Sequence, residues 1–579
     1  MFSKILIANR GEIALRIIRA CHDLGVTAVG IHSVADRGAL HVRSADESLE
    51  LAGASDADGY LDVDQIVALA VRSGAEAVHP GYGFLAENAS FAAAVEAAGL
   101  AFIGPPSAAI EAMGEKVRAR EIAAQAGVPQ VPGTSHIAGG DDVVAFGDRV
   151  GYPLAIKASY GGGGRGMRKI FAAEEAARAF ESARDEARSA FGRDDLYVER
   201  YLDSAHHVEV QVFADTFGNA VWLGDRDCSV QRRHQKLIEE APADVSPAVR
   251  RQMGEASVRL VSEVGYVGAG TIEYLVEGEE FYFLEMNTRI QVEHTVTEEV
   301  LGIDLVVEQI RVAAGEKLSF AASGPDTRGH AIECRINAED VKGLAFAPVA
   351  GGLQVLAVPP SSGVRFDSGY ETGDQVLPYY DSLIGKLVVW GPTREVAIRR
   401  TVAALESITV VGVPTTIPAL EAIIEHPDFA AGAVTTEWVE SNDGLQELVG
   451  ARMGTAEGRR DVVTVLGRTY VVPSFARDGV TVVNQETLRD AASLAATGST
   501  GRQTGTRDPS SVESPMQGVL VTSHVSDGDE VVAGQVLFVV EAMKMQIPIT
   551  AGIDGTIESL TVKAGDRVAT ESTMARIVV

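Results

Sequence analysis

Residues 512–579 match themselves when shifted by 37 positions. Gly518 falls on Gly555, Leu520 on Ile557, Val525 on Val562, Gly528-Asp529 on Gly565-Asp566 and Val531 on Val568. A repeat constrains a fold more than composition does, because each unit carries an apolar face that only its copy can cover. Each half alternates apolar and polar residues and is broken by a Gly-Asp pair, which signals β-hairpins. Two such halves predict a small flattened β-barrel with pseudo-two-fold symmetry. Ala542-Met543-Lys544-Met545 sits at the join. A lysine on a tight turn is ordinarily an exposed charge. Here it lies between two methionines at the symmetric point of the repeat.

Ahead of the repeat, residues 491–511 read as a flexible linker, since they lack apolar periodicity and are rich in Gly, Ser and Thr. Residues 461–475 and 480–484 carry the pattern of a small β unit. The first hundred residues alternate strand and helix signals. The segments 4–8, 26–31, 75–79 and 101–103 read as strands, and 11–21, 65–72 and 89–98 as helices. That alternation predicts an open parallel sheet with helices on its faces. The turn Asn9-Arg10-Gly11-Glu12 lies where such sheets bind ligands. It lacks GxGxxG, which argues against a dinucleotide site. Residues 115–329 are richer in long strands, and 330–447 mix short strands with a helix near 394–405. The expected class is α/β and α+β multidomain, ending in an all-β domain.

The 579 residues suggest about four domains. Eighty Asp and Glu against fifty Lys and Arg leave a net charge of −30, which argues against a nucleic-acid-coating role. Three widely spaced cysteines exclude a disulfide scaffold and a cysteine zinc site, and fit a reducing compartment. The apolar run at the N-terminus is too short for a signal peptide, and no stretch is long enough to span a membrane. A cytoplasmic location is the expectation.

Four segments carry chemistry. The strand over 154–158 holds Lys157 and runs into Gly161-Gly162-Gly163-Gly164-Arg165-Gly166. Bare glycines let backbone N–H groups approach phosphate oxygens, while Lys157 and Arg165 add charge. The order is neither Walker A nor kinase-like. In the second segment, Glu285, Asn287, Arg289, Gln291 and Glu293 alternate, so an extended chain would put all five on one face. Leu284, Met286, Ile290 and Val292 would form an apolar opposite face. Glu273 lies on the preceding strand, over 270–276, and carboxylates from adjacent strands can hold Mg²⁺. In the third segment, Arg226, Arg232, Arg233, His234 and Lys236 fall within eleven residues of an acidic protein. A basic surface patch is the plain alternative. In the fourth, His207-Val208-Glu209 has the HxE form of a zinc deaminase, but no PCxxC partner exists.

Taken together, these segments resemble the biotin-dependent carboxylases. Ala542-Met543-Lys544-Met545 is similar to the biotinyl-domain motif, in which the lysine carries biotin. The lysine-then-glycines order resembles the ATP-grasp fold of the family's carboxylase. The stretch 281–294 is near-verbatim. The resemblance covers about 1–447 and 512–579. It implies a Rossmann-like biotin carboxylase N-terminal domain (1–114), an ATP-grasp domain with a glycine-rich lid (115–329), a biotin carboxylase C-terminal domain (330–447) and a biotinyl domain (512–579). Residues 448–490 would be a small β docking region. By resemblance, Glu273, Glu285 and Asn287 are ligands of Mg²⁺ or Mn²⁺. Arg289, Gln291, the Val292 backbone and Glu293 line the bicarbonate site, with Glu293 as general base. Lys116, Lys157, Gly162, Gly163, Gly164, Arg165, Gly166, Glu199, His207, Gln231, His234 and Lys236 face ATP or bicarbonate. Arg335 stabilises the enolate form of biotin, and Asp381 lies in the same pocket. One departure stands out: Thr295 follows His294 where the family commonly has proline, which relaxes the backbone beside the base.

The implied activity is ATP- and bicarbonate-dependent carboxylation of biotin on Lys544. About 20 linker residues have an r.m.s. span near 25 Å, enough for the carrier to visit two sites. Too little length remains for a carboxyltransferase, so a separate β subunit that carboxylates an acyl-CoA, acetyl- or propionyl-CoA, is expected. A biotin protein ligase and self-association are expected too. Two alternatives stay open: another ATP-grasp ligase, and a non-catalytic biotin carrier.

Overall fold

The computed structural model describes the chain apart from residues 53–57, 135, 159–167, 192–194, 203, 321–323, 454–458, 466–467, 478–479, 483–509, 515–517, 543–544, 569–571 and 579. The N-terminal region is a five-stranded parallel sheet. Its spatial order is Glu47–Glu50, Thr27–His32, Lys4–Ile7, Ala77–His79, Ala101–Phe102. Strands buried on both faces must be apolar throughout, and Ile5, Leu6 and Ile7 are fully buried. Helix Gly11–Asp23 covers one face. Helices Val63–Ser73 and Ala89–Ala97 begin where Asp62 and Asn88 accept from the Gln65 and Phe91 amides. Ile5, Ile7 and Ile17 share one core with Val296, Val300 and Val306, so this domain is packed against the next.

The strand order reverses between Lys4–Ile7 and Ala77–His79, the place where open α/β sheets bind ligands. Here protein fills it. Arg10 is held by both Asp36 oxygens at 2.6 and 2.9 Å, and the Tyr380 ring lies 3.8 Å from its guanidinium carbon. The Tyr380 hydroxyl lies 2.7 Å from Ser33 Oγ. The missing GxGxxG has a structural counterpart: this crevice is a joint with the C-terminal region. Gly369 completes the joint. A Cβ there would lie 2.7 Å from the Glu12 amide nitrogen and 3.0 Å from the Gly11 backbone. Two backbones would have to separate, so Gly369→Ala is expected to lower the melting temperature of the carboxylase core in a thermal scan.

The centre of the molecule is an eight-stranded sheet. Its order is Glu280–Asn287, Gly268–Glu277, His206–Ala214, Ala220–Arg232, Gln235–Ala241, His330–Asn337, Leu383–Gly391, Val364–Ser368, antiparallel throughout. The expected boundary at 329/330 therefore falls inside one sheet: Glu239 of one region pairs directly with Glu333 of the next. A separate three-stranded sheet, Arg168–Ile170, Leu154–Ala158, Leu196–Arg200, carries helices Gly140–Val150 and Ala176–Phe191. The expected glycine-rich lid between its first two strands lies outside the described residues. Strands Arg459–Val465, Arg468–Arg477 and Val480–Val482 form a small antiparallel sheet, and most of the expected linker lies outside the described residues.

The repeat is visible in the last region. Strands Gly518–Ser523, Glu530–Val531 and Val536–Ala542 recur as Gly555–Leu560, Arg567–Val568 and Thr573–Val578. The expected hairpins at Gly528-Asp529 and Gly565-Asp566 do not form. Glu530–Val531 pairs with Gly555–Leu560, and Arg567–Val568 with Gly518–Ser523, so each half lends its short strand to the other's sheet. Crossing between sheets buries the apolar residues of both halves in one core around Leu520, Phe538, Ile557 and Ile577. The hairpin that does form joins Val536–Ala542 to Met545–Thr550, with Ala542 opposite Met545. The two positions between them, Met543 and Lys544, lie outside the described residues.

Candidate active site

One row of residues crosses four neighbouring strands of the central sheet: Glu285 opposite Glu273, Glu273 opposite Glu209, Glu209 opposite Arg226. Directly opposed residues share a face, and like charges so placed repel. Three carboxylates in a row are tolerated because cations are inserted among them. Arg226 is fully buried and binds Glu209, Gln211 Oε1 at 2.8 Å, Thr297 Oγ1 at 2.9 Å, Thr271 Oγ1 at 3.2 Å and Gln291 Oε1 at 2.7 Å. Lys236 Nζ lies 2.7 Å from Glu209 Oε2, 3.1 Å from Glu273 Oε1 and 2.5 Å from Glu293 Oε1. Arg335 reaches the second Glu293 oxygen at 2.9 Å, and its Nε donates to Glu239 Oε1 at 2.6 Å.

The expectation of one extended face over 285–293 holds only at its start. The strand ends at Asn287, the chain bends at Thr288-Arg289, and helix His294–Leu301 begins after Glu293. A bulge at Leu284 breaks the alternation, because Tyr274 pairs with Phe283 and Glu273 with Glu285. Leu284 is thereby exposed rather than part of an apolar face. Gln291 and Glu293 still reach the cluster, by way of the turn. Gln291 Nε2 donates to Glu273 Oε1 at 2.8 Å, and Asn287 Nδ2 donates to the same oxygen at 2.9 Å. Arg289 donates to Asn287 Oδ1 at 3.0 Å and Glu87 Oε2 at 3.0 Å.

Burial alone would raise the pKa of Glu293, but Lys236, Arg335 and Arg226 hold it well below the usual carboxylate range. Glu273 is lowered against the same desolvation by Lys236 and His207, whose Nε2 lies 3.0 Å from Glu273 Oε2. Burial would neutralise Lys236, yet the surrounding carboxylates keep it charged. Glu239 is different. Desolvation pushes it up to about 7 despite Arg335. The cluster thus holds fixed positive groups beside an ionised carboxylate, an arrangement suited to an anionic substrate that must lose a proton.

The other expected residues take varied positions. Gln231 is buried, with Nε2 3.5 Å from His207 Nδ1. His234 sits at the exposed tip of the hairpin Ala220–Arg232/Gln235–Ala241 with φ 63°, outside the charge cluster. Lys157 and Glu199 lie on the smaller sheet and form an ion pair with each other. Burial, with Glu273, raises the pKa of Glu285, and Lys116, which opens helix Lys116–Gln125, offsets part of that rise. Asp381 is exposed and accepts from the Leu383 amide at 3.0 Å. Gly162, Gly163, Gly164, Arg165, Gly166 and Lys544 lie outside the described residues. Thr295 is fully buried and donates to Glu333, a hydrogen bond that proline could not make. Arg226 belongs to the core of the site rather than to a surface patch. Glu209 and Glu239 were missed. The period-2 polar residues of His207-Val208-Glu209-Val210-Gln211, set in an apolar strand, were the available signal.

Family models match four stretches of the chain. They are biotin carboxylase, N-terminal domain, at residues 1–110, and carbamoyl-phosphate synthase L chain, ATP binding domain, at 115–321. Biotin carboxylase C-terminal domain matches 333–441, and biotin-requiring enzyme matches 510–577. The biotin-dependent acyl-coenzyme A carboxylase alpha3 subunit of Mycobacterium leprae is 44% identical, across 99% of this chain and 98% of that protein. The chain belongs to the biotin-dependent carboxylases. It is an ATP- and bicarbonate-dependent biotin carboxylase joined to a biotinyl domain. The propionyl-CoA carboxylase alpha chain of Ruegeria pomeroyi is 37% identical over 99% of both chains. The biotin carboxylase domain dimer of Hydrogenobacter thermophilus 2-oxoglutarate carboxylase, solved with Mg-ADP, ADP and bicarbonate, is 47% identical. It covers 77% of this chain and 99% of that one, with a TM-score of 0.69. No helix among the described residues is long and apolar enough to cross a membrane.

Proposed function

We propose that this chain carboxylates biotin on Lys544 and hands the carboxyl group to a separate carboxyltransferase β subunit acting on acetyl- or propionyl-CoA. The observation that carries the chemical part is Glu293, a buried carboxylate gripped by Lys236 on one oxygen and Arg335 on the other. Bicarbonate seats on Lys236, Arg289, Gln291 and the Val292 backbone. An anion there takes up part of Lys236's charge, which raises the proton affinity of Glu293 and makes it the base. The deprotonated substrate attacks the γ-phosphate of ATP, the bond to the bridging oxygen breaks and ADP leaves, and the resulting carboxyphosphate splits into CO₂ and phosphate, which takes the proton of biotin's ureido nitrogen. Lys236 and Arg289 offset the charge that gathers there. Two carboxylates and an amide oxygen, on Glu273, Glu285 and Asn287, are hard ligands on one sheet face and would hold Mg²⁺ or Mn²⁺, which neutralises phosphate charge. Lys116, Lys157, Glu199, His207, Gln231, His234 and the 162–166 loop contribute to the nucleotide site. Biotin supplies a ureido nitrogen that accepts CO₂. Arg335, which donates to Glu293 at 2.9 Å, would hold that ring together with Asp381.

The partner reading is supported by full-length relatives that are named as acyl-CoA carboxylase alpha subunits. Self-association fits the dimeric relative. Residues 448–490 are the docking region for the β subunit, and 491–511 the linker that lets the carrier travel; the surroundings are cytoplasmic. Coexpression with a biotin protein ligase should add the mass of one biotin to the intact chain and none to Lys544→Arg. With bicarbonate and free biotin, the purified chain should release ADP from ATP. Unmodified Lys544 together with bicarbonate-independent ATP hydrolysis would favour a different ATP-grasp ligase.

A further inference from the structure

Lys386 is fully buried on strand Leu383–Gly391, opposite Arg335 on one side and Asp367 on the other. Its Nζ donates to the Val292 carbonyl at 3.0 Å and lies 3.1 Å from Glu12 Oε1. Glu12 is buried too, and its second oxygen accepts from the Tyr82 hydroxyl at 2.6 Å. A buried ammonium is costly unless paired, and a methionine of similar length would pack there at far lower cost. Here a charge is kept where an apolar side chain would fit, and one of its donors goes to a backbone carbonyl in the substrate turn.

We propose that Lys386 is a positioning residue for the bicarbonate site: by holding the Val292 carbonyl it fixes the peptide that carries Glu293. The inference rests on the reading of Glu293 as the base. The Val292 carbonyl and the Glu293 N–H belong to one planar trans peptide and point in opposite directions. Anchoring the carbonyl on Lys386 therefore turns the Glu293 amide away from Lys386 and sets the root of its side chain. His294 treats the preceding peptide in the same way, with Nδ1 2.8 Å from the Gln291 carbonyl. Two consecutive carbonyls are held by buried side chains. Glu293 itself makes no side-chain cap on helix His294–Leu301. The turn is set by these anchors, and Glu12, with Glu333 and Asp367, keeps Lys386 charged against its burial. The N-terminal domain thereby reaches the site through Glu12 without touching substrate.

Bicarbonate-dependent ADP release with free biotin, in the full chain, tests this with Lys386→Met and with Glu12→Gln/Lys386→Met. Lys386→Met should raise KM for bicarbonate at least about tenfold and leave KM for ATP within about twofold, as expected of a small misplacement of reacting groups. The double variant removes the carboxylate in contact with Lys386; Asp367 keeps Arg365 at 2.6 Å, burial favours the neutral form of Glu333, and the amide oxygen placed at position 12 can still accept from Tyr82. Its melting temperature should return toward wild type while the bicarbonate KM stays high. A double variant with wild-type KM for bicarbonate, or an equal rise in both KM values, would overturn the assignment and leave Lys386 a structural ion pair. Turnover in Glu293→Gln would instead sink the base reading itself, so the two failures are separable.

Discussion

Glu293→Gln leaves ATP binding within about twofold of wild type and lowers bicarbonate-dependent ATP hydrolysis by about 10²–10⁴-fold, the span expected when a general base is removed. The substitution keeps the size of the side chain and deletes only its charge and its capacity to take a proton. Lys236 loses its 2.5 Å contact but retains Glu209 and Glu273 as partners, so the cluster stays compensated. Arg335 likewise retains Glu239. Lys116, Lys157 and Glu199, proposed above for the nucleotide, lie on other elements, which is why ATP affinity should survive. Calorimetric titration of ATP alongside ADP release at varied bicarbonate separates the two effects. Full turnover in this variant would remove Glu293 from the mechanism.

Arg226→Met destabilises the carboxylase core by about 3–5 kcal/mol, the range for breaking a buried ion pair from one side. Five side chains converge on this guanidinium, and none can turn to water. Its loss leaves Glu209 dependent on Lys236 alone and frees Gln291 from the conformation that faces Glu273. Denaturant unfolding should therefore shift strongly, and adding Glu209→Gln should recover part of the loss because the uncompensated charge goes with it. A single variant as stable as wild type would show that the row of carboxylates does not need this cation.

The contrast between Arg226 and Lys544 shows where a sequence stops speaking. Lys544 announces itself locally, through flanking methionines and its place in a repeat. Arg226 looks like any arginine in a basic run, and only strand pairing with Glu209 shows it to be the centre of the site. The barrel makes a similar point. The 37-residue spacing was legible, but Gly-Asp turn chemistry is the same whether a chain folds back beside itself or crosses to another sheet. The crossing wins because it buries both halves in one core. In the segment 285–293, Gln291 and Glu293 reach the cluster by way of a turn and not along an extended strand, since periodicity of 2 cannot foresee a bulge at Leu284 or a helix starting at His294.

Local pattern, by itself, determined the parallel N-terminal sheet, the repeat with its marked lysine, and the side chains from Glu273 to Glu293 that meet at one place. The tertiary structure decided which charges are buried together. Glu239 and Lys386 enter the site because strands Gln235–Ala241, His330–Asn337 and Leu383–Gly391 are neighbours in a sheet that spans the expected domain boundary. A charge has no preferred depth of its own. Its ionisation and its role depend on partners brought from a hundred residues away, and that pairing exists only once the chain has folded.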